Sequence, residues 1–252
     1  MYSFLQLTTN EWLKLAKKRG FFIAFLIILL MPLGIAVVVK SFLKGTELGY
    51  VEFMQSVIDI NGGGKLYLFL CMIYTASLVS GEHQLGTIKL LLIRPHSRSK
   101  ILASKYAALL VFNIVLLLFA LIVSFIICIV FFGMQGEGSM IDVWKTVLYT
   151  SVNTVMYTSI VFMLSVLTKS TGATIGIALC LVFVSDLAVL LLAKYEFAKY
   201  LLFFNLDLRM YEEGGVPLMK GMTLGFSITV LAAYLIAILA TSFYVFKKRD
   251  VA

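Results

Sequence analysis

Two histidines, three cysteines and 13 carboxylates are the side chains with which this 252-residue chain could hold a metal or run acid–base chemistry. Their placement makes little of either. His83 and His96 fall in one polar stretch, and neither H-E-x-x-H nor G-x-S-x-G occurs, so no zinc-binding helix and no nucleophile elbow is spelled out. Cys71, Cys128 and Cys180 lie within apolar runs, where cysteine acts as a small apolar filler, and their separations match no disulfide or metal pattern. "GGGKL" at 62–66 lacks the leading glycine and the hydroxyl of a phosphate-binding loop and reads as a turn, as does "GEGSM" at 136–140. Inside the apolar runs stand Asp186, Asn113 and Asn153. An ionisable group there is costly and often marks an ion path, while asparagine more commonly hydrogen-bonds between helices. For Asp186 a pathway role and a packing role both stay open. The inventory leaves an enzyme without a nucleophile, an acid–base pair or a metal.

The elements that carry these residues are membrane-spanning. The chain is 61% hydrophobic and 13% charged, whereas a soluble domain carries about a quarter of its residues charged. Six apolar runs approach the roughly 20 residues that cross a hydrocarbon core: Phe21–Val39, Leu66–Ser80, Tyr106–Phe132, Trp144–Thr168, Gly172–Ala193 and Gly221–Phe246. The fold class expected is an all-α membrane protein of six transmembrane helices, a single domain over residues 1–252. Strands of an outer-membrane barrel would alternate every second residue, and these runs do not. Leu66–Ser80 is short, covering about 22 Å, so the membrane thins there or the residues after Ser80 complete the helix. No small-residue cleavage pattern succeeds the first run, which is read as a retained anchor rather than a signal peptide.

Basic residues orient the spans, because Lys and Arg gather on the cytoplasmic side of short loops. With the N-terminus inside, that side holds Lys14, Lys17, Lys18, Arg19, Lys89, Arg94, Arg98, Lys100, Lys105, Lys169, Lys247, Lys248 and Arg249, while the opposite side mixes its bases with most of the acids, from Glu47 to Glu213. The net charge of +8 is thus a signal of orientation and of contact with anionic lipid, and nucleic acid is not an expected partner. "NEWLKLAKKRG" at 10–20 suits either a helix in the headgroup layer or a basic flank with an aromatic anchor.

The polar stretch "GEHQLGTIKLLLIRPHSRSK" at 81–100 lies on the same side. Leu85, Ile88 and Leu92 share one helical stripe, His83, Lys89 and Arg94 surround it, and Pro95 stops the helix. Ser97 or Ser99 is placed to cap the helix that rises through Lys105. A short surface helix between the second and third spans is predicted, and periodicity alone would make it a connector.

Its residues resemble more than a connector. Glu82, Gly86 and Thr87, then leucines, then Arg94, Pro95, Ser97 and Arg98, then Lys105, resemble the "E-x-x-x-G-T … L-L … P-x-S-R … K" pattern in permease subunits of type 2 ATP-binding-cassette (ABC) exporters. The likeness is motif-specific over 82–105 and extends in outline to the basic N-terminal helix, the six spans and the basic "FKKRD" end. It implies that the segment docks onto a separate ATPase, with Glu82, Gly86, Thr87, Arg94, Pro95 and Arg98 in coupling. ATP and magnesium would then be bound by that partner, with no cofactor and no catalytic residue in this chain. "VSGEHQ" at 79–84 has a faint likeness to the ATPase signature, but it ends a span and no phosphate loop accompanies it. The resemblance further implies a second permease subunit, identical or sister, and, for a chain of this size, export of an antimicrobial peptide, drug or other amphipathic substrate across the bacterial cytoplasmic membrane. The rival is an ion-coupled secondary transporter or channel using Asp186, with Asn113 and Asn153 lining the passage. The segment 194–220, rich in aromatics and charge, is expected to dip into the membrane interface or re-enter it.

Overall fold

The computed structural model describes residues 4–42, 49–84, 97–133, 138–212 and 215–248. Among these every regular element is helical: α1 (Phe4–Ala16), α2 (Arg19–Phe42), α3 (Tyr50–Ile58), α4 (Gly64–Gln84), α5 (Arg98–Phe132), α6 (Met140–Thr168), α7 (Thr171–Leu192), three 3-10 turns η1 (Glu196–Tyr200), η2 (Leu202–Asn205) and η3 (Leu208–Tyr211), and α8 (Leu224–Lys248). Helices α2 and α4 to α8 are long and apolar enough to cross a membrane, one for each run predicted from the sequence. The protein is a multi-pass membrane protein.

In the second span the structure takes one of the two courses the sequence left open, completion of the helix by the residues after Ser80. It has 21 residues from Gly64 to Gln84, about 31 Å of helix, so it covers a bilayer core without thinning it. Its weak hydropathy has a physical cause: 67% of the span is buried in the protein, as is 61% of α6, against 17% for α7 and for α8. A helix wrapped by protein can give serine and threonine partners on other helices, as Ser80 has on α6. Helix α1 is also present. Leu7, Glu11 and Leu15 are buried on one face of it, and Lys14 lies 2.6 Å from Glu11 Oε1.

The chain forms two compact units. One comprises Thr8–Cys71 and Ala108–Thr154. Its core joins Ala36 of α2, Phe53 and Val57 of α3, and Val123, Ile127 and Cys128 of α5. Between α3 and α4 the glycines at 62–64 make the predicted turn. Gly62 and Gly64 N–H both donate to the Asp59 carbonyl at 2.9 Å, and Gly63 N–H to that of Ser56 at 3.0 Å. A Cβ on Gly63 would strike Met31 and the Val57 carbonyl, and one on Gly64 the Ile58 and Asp59 carbonyls, so the backbone reversal leaves no room for a side chain.

The other unit comprises Met1–Leu7, Met72–Ala107 and Val155–Ala252. Its apolar packing among the described residues includes two clusters, one of Val79, Leu102, Phe162, Val166 and Phe246 from α4, α5, α6 and α8. The second places Ala198, Phe204 and Met222 beside Val189 and Leu192 of α7 and Phe226 of α8, and so folds the 3-10 turns against those two helices. Asn205 anchors them: its Nδ2 donates to the Lys199 and Leu201 carbonyls at 2.8 and 2.9 Å, and Ser227 Oγ donates to its Oδ1 at 2.7 Å.

Candidate functional site

In the unit that holds Val155–Ala252, five helix ends are tied together around the base of the 85–96 segment. The ties begin with Ser80 on α4, Ser165 on α6 and Thr174 on α7, all fully buried. Ser165 Oγ accepts from the Ser80 N–H at 2.9 Å and donates to the Ala76 carbonyl at 3.1 Å. It thereby sits across one hydrogen-bond step of α4, a position that only a small hydroxyl can fill. Ser80 Oγ lies 2.7 Å from Ser165 Oγ and 3.3 Å from Thr174 Oγ1, which in turn lies 2.7 Å from Thr168 Oγ1. The result is a chain of hydroxyls through three helices, its buried members Ser80, Ser165 and Thr174 each with a partner.

Charged groups continue the brace. Lys105 Nζ of α5 lies 2.6 Å from Glu82 Oε2 of α4, with the Lys105 side chain 2% and that of Glu82 16% exposed. Gln84 Oε1 accepts from Thr171 Oγ1 at 3.0 Å, joining α4 to the start of α7. Arg98 Nη1, at the start of α5, donates to the Lys247 carbonyl near the end of α8 at 3.4 Å. Ser97 stands just before α5, and its Oγ accepts from the Lys100 N–H at 3.4 Å, the capping role read from the sequence. Ser170 does the same for α7. Lys169, between α6 and α7, has φ 56°, the left-handed conformation that ends one helix before the next begins.

Of the residues assigned to coupling, the structure thus places Glu82 and Arg98 at the two helix ends that flank the segment. Gly86, Thr87, Arg94 and Pro95 lie outside the described residues, and the predicted surface helix lies there with them. The hydroxyls Ser80, Ser165 and Thr174 were not singled out from the sequence. The signal for Ser80 and Ser165 was the run of Ser and Thr in the two least apolar spans, where such residues glue helices together; Thr174, on a more apolar span, carried none.

The polar residues within the spans go to different places. Asn113 and Asn153 belong to the unit of Thr8–Cys71 and Ala108–Thr154 and are buried. Tyr67 OH of α4 donates to the Asn113 carbonyl at 2.9 Å, an interhelical contact. Asn153 Oδ1 is enclosed without a hydrogen-bond partner among the described residues. Asp186 is exposed on α7, close enough to act electrostatically on Tyr157, whose hydroxyl lies 2.7 Å from Ser185 Oγ. Among the described residues no group of three His, Cys, Asp or Glu side chains gathers as a metal ion would require.

Known proteins resemble the chain along most of its length. It is 39% identical to a Bacillus subtilis (strain 168) protein named "Uncharacterized protein YhcI" over 199 residues, 72% of this chain and 63% of that one, so the match spans less than two thirds of the relative's length. It is 26% identical over 247 residues to "Uncharacterized membrane protein YdbK" of the same organism, covering 95% of this chain and 99% of that one. The family described as "Protein of unknown function (DUF2705)" matches residues 20–252, and the chain belongs to it.

Proposed function

We propose that the chain is the permease subunit of a type 2 ABC exporter, half of a translocation pathway opened by ATP hydrolysis in a separate subunit. The observation that carries this reading is the 82–105 stretch: its residues resemble the segment that docks onto the ATPase in such permeases, and its described ends, Glu82 and Arg98, join helices tied to each other and to α6, α7 and α8. An ATPase that closes on nucleotide must push on something rigid, and a segment whose two flanking helices are tied to each other and to three more transmits force into the spans. On this reading the segment, the N-terminus and the C-terminus face the cytoplasm, ATP and magnesium are bound by the partner, and a second permease subunit completes the pathway. Substrates are antimicrobial peptides, drugs or other amphipaths, exported across a bacterial cytoplasmic membrane. The chain itself carries no catalytic residue.

The test is recovery of the tagged chain from its native membrane in mild detergent, followed by mass spectrometry. An ATPase of the ABC type is expected to come with it, and to be lost when Arg94 and Arg98 are both changed to Glu. A folded chain recovered alone would overturn the reading. One observation favours a second reading, the exposed acid Asp186 in a spanning helix. If the purified chain alone moved an ion into vesicles and Asp186→Asn abolished that movement, an ion-coupled carrier would replace the permease.

A further inference from the structure

Lys105 does more than orient the protein. A lysine that serves only as a cytoplasmic flank keeps its ammonium in water, yet this side chain is 2% exposed and sits two turns into α5 against Glu82. Burying an ammonium is costly unless it is paired, so the position is held for the sake of the pair or of what the pair joins. What it joins is specific. Each member stands on a helix separately fastened to α6: Glu82 is two residues beyond Ser80, which bonds Ser165, and Lys105 adjoins Tyr106, whose hydroxyl lies 2.8 Å from Ser159 Oγ and whose ring lies 5.3 Å from that of Phe162. Between Glu82 and Lys105 the chain leaves one helix, passes through residues 85–96 and enters the next. A loop rooted in two helices held only by the backbone could be pushed without moving both. Closing its base with an ion pair removes that freedom.

We propose that the Glu82–Lys105 pair is the transmission link of the 85–96 segment. It fastens the end of α4 to the start of α5, so that force on the segment moves both helices, and α6 with them, as one body. Lys105 is then a positioning residue for coupling, acting through Glu82 and not by touching the partner. The inference rests on the permease reading.

The experiment uses the complex of the chain with its ATPase, purified from membranes, with MgATP as the probe. Three quantities are read: the amount of ATPase recovered, the thermal unfolding temperature of the complex, and the stimulation of ATP hydrolysis relative to the isolated ATPase. Glu82→Gln and Lys105→Met each leave one buried partner and are expected to lower recovery. The informative variants are the double changes. E82M/K105M removes both charges and is expected to fold as the wild type does, while stimulation per ATPase recovered falls about tenfold. E82K/K105E, which rebuilds the pair in reverse, is expected to restore most of it. Wild-type stimulation in E82M/K105M would overturn the link while leaving the permease reading standing. Absence of any ATPase from the wild-type preparation would overturn the permease reading, and the link with it.

Discussion

Asn205 shows how much local structure one side chain can hold. It is fully buried, and its amide meets two backbone carbonyls through nitrogen and one serine hydroxyl through oxygen. No other neutral side chain of the same length offers both donors and the acceptor. Asn205→Ala is expected to destabilise the protein by about 2 kcal/mol, since buried polar groups lose their partners. Asn205→Asp, nearly the same shape, is expected to lower the unfolding temperature further, because a carboxylate oxygen would face two carbonyl oxygens. Thermal unfolding in detergent compares the two, and an aspartate variant as stable as wild type would show that the amide donors do not matter. In the sequence this asparagine was one polar residue in a long aromatic segment. Its importance comes from the 3-10 turns that bring Lys199, Leu201 and Ser227 to it, and no spacing rule reports such a meeting. Glu82 was legible for the opposite reason: it stands at the edge of an apolar run and opens a patterned stretch.

At the scale of elements, the glycine turn between α3 and α4 is the most exacting. Gly64→Ala is expected to cost about 2 kcal/mol or more, because its Cβ would meet the Ile58 and Asp59 carbonyls, and backbone atoms cannot step aside as a side-chain tip can. Gly34, within α2, has nothing within 4 Å of the place its Cβ would take. Gly34→Ala is therefore expected to be neutral or stabilising by up to about 1 kcal/mol. Unfolding temperatures of the two variants in one detergent test the contrast, and equal losses would count against it. Helix α3 itself escaped the sequence reading. It has nine residues, with Val51, Phe53, Met54, Val57 and Ile58 buried, too short to register among runs of spanning length. The start of α4 at Gly64 and Lys65 escaped as well, whereas its completion by the residues after Ser80 was one of the two courses the sequence left open.

For the whole molecule, the testable property is which side each connection faces. The permease reading requires 97–100 inside and 215–223 outside. With the exposed Cys180 first replaced by alanine, a thiol introduced at Val216, which is 81% exposed, is expected to react with a membrane-impermeant maleimide in intact cells. One at Ser99, also exposed, is expected to react only after the membrane is opened. The reverse pattern would invert the topology, place the 85–96 segment outside the cell and remove any access to a cytoplasmic ATPase. The hydrogen bonds themselves bring the end of α4, the start of α5, the end of α6, the start of α7 and the end of α8 to one another, as alternating passes through a membrane would.

By itself the sequence determined that this is a helical membrane protein of six spans, since an apolar run of that length has one physical solution when water is absent: a helix that satisfies its own backbone. It also marked the polar 82–105 stretch as the chemical exception and offered Ser97 or Ser99 as the cap, of which the structure uses Ser97. Only the tertiary structure decided which polar residues act. Ser165 accepting from the Ser80 N–H, Lys105 closing on Glu82 and Ser227 of α8 donating to Asn205 are contacts between residues 22 to 85 positions apart. Helical periodicity states which face a residue occupies. It does not state which other helix that face will meet.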